Sequence, residues 1–161
     1  MISGPNAAAM TRPNEVETEY MYSIAKRFRF SAAHVLHSPA LSDAENSAVY
    51  GKCAGPSGHG HDYAIEVIVG CRSLDNDVVV TRRWLEVSAA DELAKKFAFT
   101  NLNETFGRDF IPTGENLAEA VWRLLRPHLP SENSLTVRLV ETPKNAFVYR
   151  GDGEQSQAQT V

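Results

Sequence analysis

Residues 59–69 decide the fold, and they read His59-Gly60-His61-Asp62-Tyr63-Ala64-Ile65-Glu66-Val67-Ile68-Val69. From His61 onward the odd positions carry the histidine, the tyrosine and three branched apolar residues, while the even positions are mixed. Alternate side chains of an extended chain point to opposite faces, so this pattern predicts a β-strand with one face in a core. The strand begins next to two histidines.

Similar alternation lies on both sides of this stretch. Even positions from Tyr22 to His34 share one parity, interrupted at Lys26, and predict an earlier strand. Residues 135–140 and 147–149 predict a final pair of strands around the turn residues Pro143-Lys144-Asn145. The run Asp77-Val78-Val79-Val80 predicts a strand-like continuation.

Two helices are predicted between the strands. Ser88 is a plausible N-cap for a helix through Phe97, and a second helix begins near Thr113 and is ended by Pro127 and Pro130. Strands in runs, with helices segregated, favour an α+β fold. We expect a four-stranded antiparallel sheet covered on one face by two helices.

Composition narrows the class of protein. The 161 residues are 43% hydrophobic and 22% charged, which excludes disorder as the main state. A formal net charge of −4 disfavours nucleic-acid binding. The sequence contains no run of 18 apolar residues, so no membrane span is predicted. Cys53 and Cys71 are too few for a disulfide framework, which favours a reducing, cytoplasmic location. We expect flexible segments at 1–18 and 153–161 around one domain at 19–152.

Three histidines have a spacing that suits a metal ion. His59 and His61 open one predicted strand, and His34 ends another. Residues i and i+2 of a strand lie on one face about 6.6 Å apart, so two imidazoles there can converge on one ion. Three neutral imidazoles suit zinc with a fourth position open, as in catalytic sites. The alternative is that two of these histidines are ordinary polar loop residues.

Cys53 lies six positions before His59, in a Gly- and Pro-containing loop that could fold the thiol back over this site. As a fourth ligand it would make a closed, structural zinc site. As a thiolate beside the ion it could be a general base or a nucleophile. Cys71 is expected to be a small buried residue.

Together these residues resemble the 6-pyruvoyl-tetrahydropterin synthase family. The motifs that carry the resemblance are Phe30-Ser31-Ala32-Ala33-His34, Leu36-His37-Ser38-Pro39, Tyr50-Gly51-Lys52-Cys53, Gly58-His59-Gly60-His61-Asp62-Tyr63, Pro112-Thr113-Gly114-Glu115-Asn116 and Val140-Glu141-Thr142. They cover roughly residues 22–152. The five residues between Cys53 and His59 resemble the pyruvoyl branch more than the 6-carboxy-tetrahydropterin branch.

The resemblance implies a fold, a cofactor and a reaction. It implies a tunnelling fold whose trimers stack in pairs as hexamers, zinc held by His34, His59 and His61, and Cys53 as the catalytic thiol. The implied reaction converts 7,8-dihydroneopterin triphosphate to 6-pyruvoyl-tetrahydropterin with loss of triphosphate. Glu141 matches the glutamate that holds the amino and ring N–H groups of the pterin, and a carboxylate suits that role because it offers two acceptor oxygens.

Thr113 and Glu115 match the pterin-pocket segment of the family. For Glu115 there is a structural alternative, because an acidic residue in the first turn of a helix is favoured by the helix dipole alone.

One departure from the family pattern concerns proton transfer. Where the family has an Asp-His dyad, contributed by a neighbouring subunit, this chain has Ala98 and Phe99. Neither side chain can carry a proton, which predicts a slower enzyme or one with an altered substrate or reaction. A pterin-binding paralogue without catalysis and a small protein with a closed structural zinc are the other hypotheses.

Overall fold

The computed structural model describes residues 22–72, 76–107 and 109–151, with the backbone alone at 76–79. Along this part of the chain the elements are β1 Tyr22–His34, α1 Asp43–Tyr50, β2 His59–Cys71, α2 Asn76–Trp84, α3 Ala90–Phe97, β3 Thr100–Asn101, α4 Leu102–Phe106, α5 Gly114–Leu125, β4 Ser134–Thr142 and β5 Asn145–Tyr149. The predicted terminal segments, 1–18 and 153–161, lie outside the described residues.

The strands form one sheet in the order β3-β1-β2-β4-β5. β1 and β2 pair antiparallel over their whole length, from Tyr22 opposite Cys71 to His34 opposite His59. β4 pairs antiparallel with β2, and β5 with β4. The sheet has five strands and not the expected four. The additional strand is the two-residue β3, which pairs parallel with β1 at Ala32 and Ala33. Two residues are too few to show any alternation.

The core lies between one face of the sheet and the helices. Alternate residues of β1, β2 and β4 are buried there, and α3 and α5 bury apolar stripes against them. The predicted α+β architecture, with α3 and α5 on one face, is confirmed. Within the described ranges, every helix is too short or too polar to traverse a lipid bilayer.

The predicted strand at Asp77–Val80 is wrong, since the backbone there belongs to α2. Ser88 is not an N-cap either, because α2 continues through a π-helical turn, Leu85–Ala89, into α3. The buried side chains recur every four residues: Thr81, Leu85, Ala89, Leu93 and Phe97. Four exceeds the 3.6 residues of an α-helical turn, so the wider π turn keeps this stripe on one side.

Besides α2, two further helices were not expected. In α1 the hydroxyl of Ser42 accepts from the backbone N–H of Glu45, and the Glu45 carboxylate accepts from the backbone N–H of Ser42. This Ser-x-x-Glu capping box is a recognisable helix start. α4 begins at the cap Asn101, whose side chain accepts from the N–H of Asn103.

Candidate metal centre

The register of β1 and β2 brings three imidazole rings together. His34 is the direct cross-strand partner of His59, and His61 lies two residues further along on the same face. The ring centroids are 5.2 Å apart for His34 and His59, 4.9 Å for His34 and His61, and 4.5 Å for His59 and His61. The convergence predicted from the spacing is present in the structure.

The main chain fixes how His34 is protonated. Its Nδ1 lies 3.1 Å from the carbonyl oxygen of Pro112, which can only accept a hydrogen bond, so Nδ1 carries the proton. Nε2 therefore keeps its lone pair, and it faces the other two rings. Burial lowers the pKa of His34 to about 4, partly opposed by the bond to Pro112, so the ring is neutral near pH 7. Burial also lowers the pKa of His61.

Cys53 reaches the same place from a 3₁₀ turn at Gly51–Ala54. Its carbonyl accepts from the N–H of Leu36 at 2.8 Å, and its Sγ lies 3.4 Å from His59 Nε2. The chain can turn back toward the histidines because residue 58 is glycine, with a φ of 62°. A Cβ at this position would lie 2.8 Å from the carbonyl oxygen of His34. Burial, and secondarily the charge of Glu141, raise the pKa of the Cys53 thiol. Cys71 is buried, as predicted.

The carboxylate of Glu141 lies beside two of the three imidazole rings. One of its carboxylate oxygens, Oε1, lies 3.8 Å from His34 Nε2 and 3.7 Å from His61 Nε2. Glu141 belongs to β4, one residue past the Ala64–Val140 pair, and thus beside Tyr63 of β2. Its side chain is 11% exposed. Glu141, predicted as the pterin-binding carboxylate, therefore lies next to His34 and His61.

The remaining predicted residues lie on the adjoining segment. Thr113 caps α5, with its hydroxyl accepting from the N–H of Asn116 at 3.4 Å. Glu115 is exposed in the first turn of α5, and no contact with the imidazole cluster is found for it among the described residues. The segment still touches the centre, because the carbonyl of Pro112 holds His34.

The residues fit a metal ion. One ligand atom from each of His34, Cys53, His59 and His61 lies within 4.8 Å of all the others. Nε2 of His34 and Nε2 of His61 are buried without a hydrogen-bond partner, an arrangement that is unfavourable unless something binds there. Imidazole and thiolate ligands suit Zn²⁺ and similar transition ions.

A comparison with known protein families gives a match. The sequence profile of 6-pyruvoyl tetrahydropterin synthase matches residues 23–152, most of the chain. The chain belongs to the 6-pyruvoyl tetrahydropterin synthase family.

Individual relatives show the same. The 6-pyruvoyl tetrahydrobiopterin synthase of Poecilia reticulata is 39% identical over 126 residues, 76% of this chain and 86% of the relative. That of Homo sapiens is 31% identical over 134 residues, 80% of this chain and 91% of the relative. The structure of 6-pyruvoyl tetrahydropterin synthase from Caenorhabditis elegans aligns with a TM-score of 0.67 at 32% identity, covering 81% of this chain and 96% of that one. The tunnelling fold expected from the resemblance is confirmed.

Ala98 and Phe99, which the sequence resemblance predicts to replace the family dyad, lie just after α3. The N–H of Phe99 donates to the carbonyl of Ser31 on β1 at 2.7 Å, and its φ of 57° lies in the left-handed region. Its ring is 89% exposed and borders an open cleft of about 540 Å³, which His61 also lines. In the single chain Phe99 therefore points into solvent and not into the imidazole cluster.

Two partners of His34 were not predicted from the sequence. Tyr63 lies two residues after His61 on the same strand, so its parity already placed it on the face of the cluster. The carbonyl of Pro112 is a backbone atom, and no side-chain pattern could have indicated it.

Proposed function

We propose that this chain is a zinc-dependent lyase of the 6-pyruvoyl-tetrahydropterin synthase type, acting on 7,8-dihydroneopterin triphosphate or a related dihydropterin. The observation that carries the proposal is the convergence of three imidazoles and one thiol within 4.8 Å of one another. The partly exposed rings of His59 and His61 leave one side of this cluster open to a small molecule. Family membership supplies the pterin class.

The proposed chemistry divides between the ion and the thiol. His34, His59 and His61 would hold the zinc ion, which would supply Lewis acidity to the hydroxyl groups of the substrate side chain. The Cys53 thiolate would take a proton from a carbon of that side chain, the electron pair of the broken C–H bond would expel triphosphate from the adjacent carbon, and the proton would return to the side chain as the resulting enol becomes a ketone. Burial and the charge of Glu141 raise the pKa of the thiol, whereas a neighbouring cation lowers a thiol pKa, so we expect faster proton transfer in the metal-loaded protein.

The proposed substrate contacts are Glu141, Thr113 and Glu115. Glu141 offers two acceptor oxygens to N–H donors of the pterin, and it lies against the cluster. Thr113 and Glu115 start the helix whose preceding carbonyl holds His34. We further propose a hexamer of two stacked trimers and a cytoplasmic location, which the two free thiols suit.

The deciding assay gives zinc-loaded protein 7,8-dihydroneopterin triphosphate and measures triphosphate release. We expect catalytic release that stops when the metal is removed and returns when zinc is added back. No triphosphate from a stoichiometric amount of enzyme would rule out this substrate.

Ala98 and Phe99 favour a second candidate, in which the same metal centre acts on a different dihydropterin or with a different outcome. A screen of pterins with product identification by mass spectrometry distinguishes the two. A paralogue without catalysis would bind a pterin tightly, turn none over, and be unaffected by Cys53→Ala.

The variant Cys53→Ser separates a catalytic thiol from a fourth ligand of a closed site. For a catalytic thiol we expect metal content to persist while turnover falls about 10²–10⁴-fold. The matched control is Cys71→Ala, a buried thiol remote from the cluster, which should retain both properties. Loss of the metal in Cys53→Ser would favour the closed, structural site.

A further inference from the structure

Gly114 lies directly against the ring of Phe147. It is the first residue of α5 and is buried, and its backbone is outside the left-handed region that favours glycine. Glycine is also a poor helix former, so the conformation of this turn does not call for it. The reason is space, because a Cβ on residue 114 would lie 2.0 Å from Cε2 and 2.1 Å from Cδ2 of Phe147. Only glycine lets the ring rest on the main chain here.

The ring of Phe147 is held from the side of the sheet. Phe147 is the cross-strand partner of Leu139 of β4, and its partly buried side chain packs against the core. Glu141 lies two residues beyond Leu139, at the point where the pairing of β4 and β5 shifts register between Val140 and Thr142. Such a bulge changes the direction of the side chain that it carries. Phe147 is therefore attached to the strand pair that presents Glu141.

On the helix side, Gly114 lies between Thr113 and Glu115, the two proposed pterin contacts of α5. The residue before them is already attached to the metal centre, since the carbonyl oxygen of Pro112 lies 3.1 Å from Nδ1 of His34. The contact between the Phe147 ring and Gly114 attaches the same turn to β5. The turn is thus fixed at two points, one on each side of the proposed pterin contacts.

We propose that Phe147 is a positioning residue of the pterin pocket and acts through Gly114. Their contact sets the separation between Glu141 and the turn at residues 113–115. This inference rests on the proposed function, which gives the pterin contacts on both sides. A pterin is a rigid, nearly planar pair of rings, so groups on two sides of it bind together only at a suitable separation. Phe147 therefore controls pterin affinity by spacing its two sets of contacts.

The test is a double-mutant cycle of Gly114→Ala and Phe147→Val, read by the Kd for 7,8-dihydroneopterin in isothermal titration calorimetry. This probe has no triphosphate to lose, so binding is measured apart from turnover. In Gly114→Ala the ring and the main chain must separate by more than about 1 Å to restore ordinary carbon–carbon contact. We expect the Kd to rise about 10–100-fold, because a displacement of this size misplaces the turn at 113–115.

Phe147→Val should also raise the Kd, because the turn loses its support on β5. Valine lacks all three ring atoms that a methyl group at residue 114 would meet, Cδ2, Cε2 and Cζ. Combining the two changes should therefore recover most of the affinity that Gly114→Ala loses, which is the non-additivity expected of residues in contact. The matched control is Val148→Ala, at the neighbouring exposed position of β5, which should leave the Kd unchanged.

Two further measurements separate positioning from a loss of stability. A merely structural contact would lower the urea midpoint and leave the Kd of the folded protein unchanged. Metal content should remain stoichiometric in every variant, and a loss of metal that parallels the change in Kd would overturn the inference. An unchanged Kd in Gly114→Ala would overturn it too, as would a double variant that neither folds nor binds better than Gly114→Ala.

The probe also distinguishes this inference from the proposed function. Binding of 7,8-dihydroneopterin without triphosphate release from the full substrate leaves the cycle measurable. An unaltered, metal-loaded protein that binds no dihydropterin overturns both proposals. If Gly114→Ala fails to fold, a double variant that folds and binds the probe supports the contact by rescue.

Discussion

His34 uses its two ring nitrogens for different purposes. Nδ1 donates to the main-chain carbonyl of Pro112, and this leaves Nε2 unprotonated and facing the other rings. An outer hydrogen bond of this kind sets the tautomer and the orientation of a metal-binding imidazole. His34 is only 1% exposed, so water cannot replace the Pro112 carbonyl as the partner of Nδ1.

Replacing His34 by Gln should remove the metal while leaving the fold intact. The amide of Gln can still donate to the Pro112 carbonyl, but it brings no ring nitrogen to the ion. We expect metal affinity to fall by more than the roughly 10–100-fold typical of an outer partner, and metal content after dialysis to approach zero. Inductively coupled plasma mass spectrometry measures the content, and chelator competition measures the affinity.

The matched control is His37→Gln. His37 is a neighbour in sequence, but its side chain is 49% exposed and lies 3.5 Å from Asp43, away from the cluster. This variant should keep a stoichiometric metal content. If His34→Gln binds metal as well as His37→Gln does, the ligand assignment is wrong.

At the scale of elements, α4 is attached to the end of β1 by one side chain. The Oδ1 of Asn103 accepts from the N–H of Val35 at 2.8 Å, and its Nδ2 donates to the carbonyl of Val35 at 2.9 Å. Val35 directly follows His34. Both backbone groups of Val35 therefore depend on Asn103, and through them so does the position of a metal ligand.

Asn103→Ala should destabilise the metal-free protein and weaken metal binding together. Two partly buried backbone groups lose their partner, and the expected loss in the free energy of unfolding is about 1–3 kcal/mol. Urea denaturation measures it. Asn145→Ala, at an exposed position of β5, serves as the control and should stay within about 0.5 kcal/mol of the parent. Equal denaturation midpoints for the two variants would contradict the role given to Asn103.

The elements also show which structures a sequence can reveal. Long strands such as β2 were predictable because burial on one face forces alternation. The valine run in α2 suggested a strand because β-branched residues favour strands, yet burial of the stripe from Thr81 to Phe97 prevailed over that local preference. The histidine cluster followed from strand spacing, whereas the contacts of Tyr63 and Glu141 depend on which strands are neighbours in the sheet.

At the scale of the whole molecule, the centre joins distant parts of one chain. His34 and its partner Pro112 are 78 positions apart, and Glu141 comes from a third segment. Phe99 does not contact the metal centre of its own chain. Its exposed ring borders a cleft that, of the cluster residues, only His61 also lines. In the proposed hexamer, the residues at 98 and 99 would act on a neighbouring subunit, so their effect on rate is a property of the assembly.

Restoring the dyad with Ala98→Asp and Phe99→His should therefore raise the rate of triphosphate release without changing metal content. A relay that supports Cys53 is expected to contribute up to about 10²–10⁴-fold. The backbone tolerates the change, because His occurs at positive φ more readily than most side chains, and Phe99 has a φ of 57°. The measurement is kcat for the metal-loaded protein. Ala98→Asn with Phe99→Gln is the matched control, since it is equally polar and cannot relay a proton. If both double variants release triphosphate at the same rate, the missing dyad does not limit this enzyme.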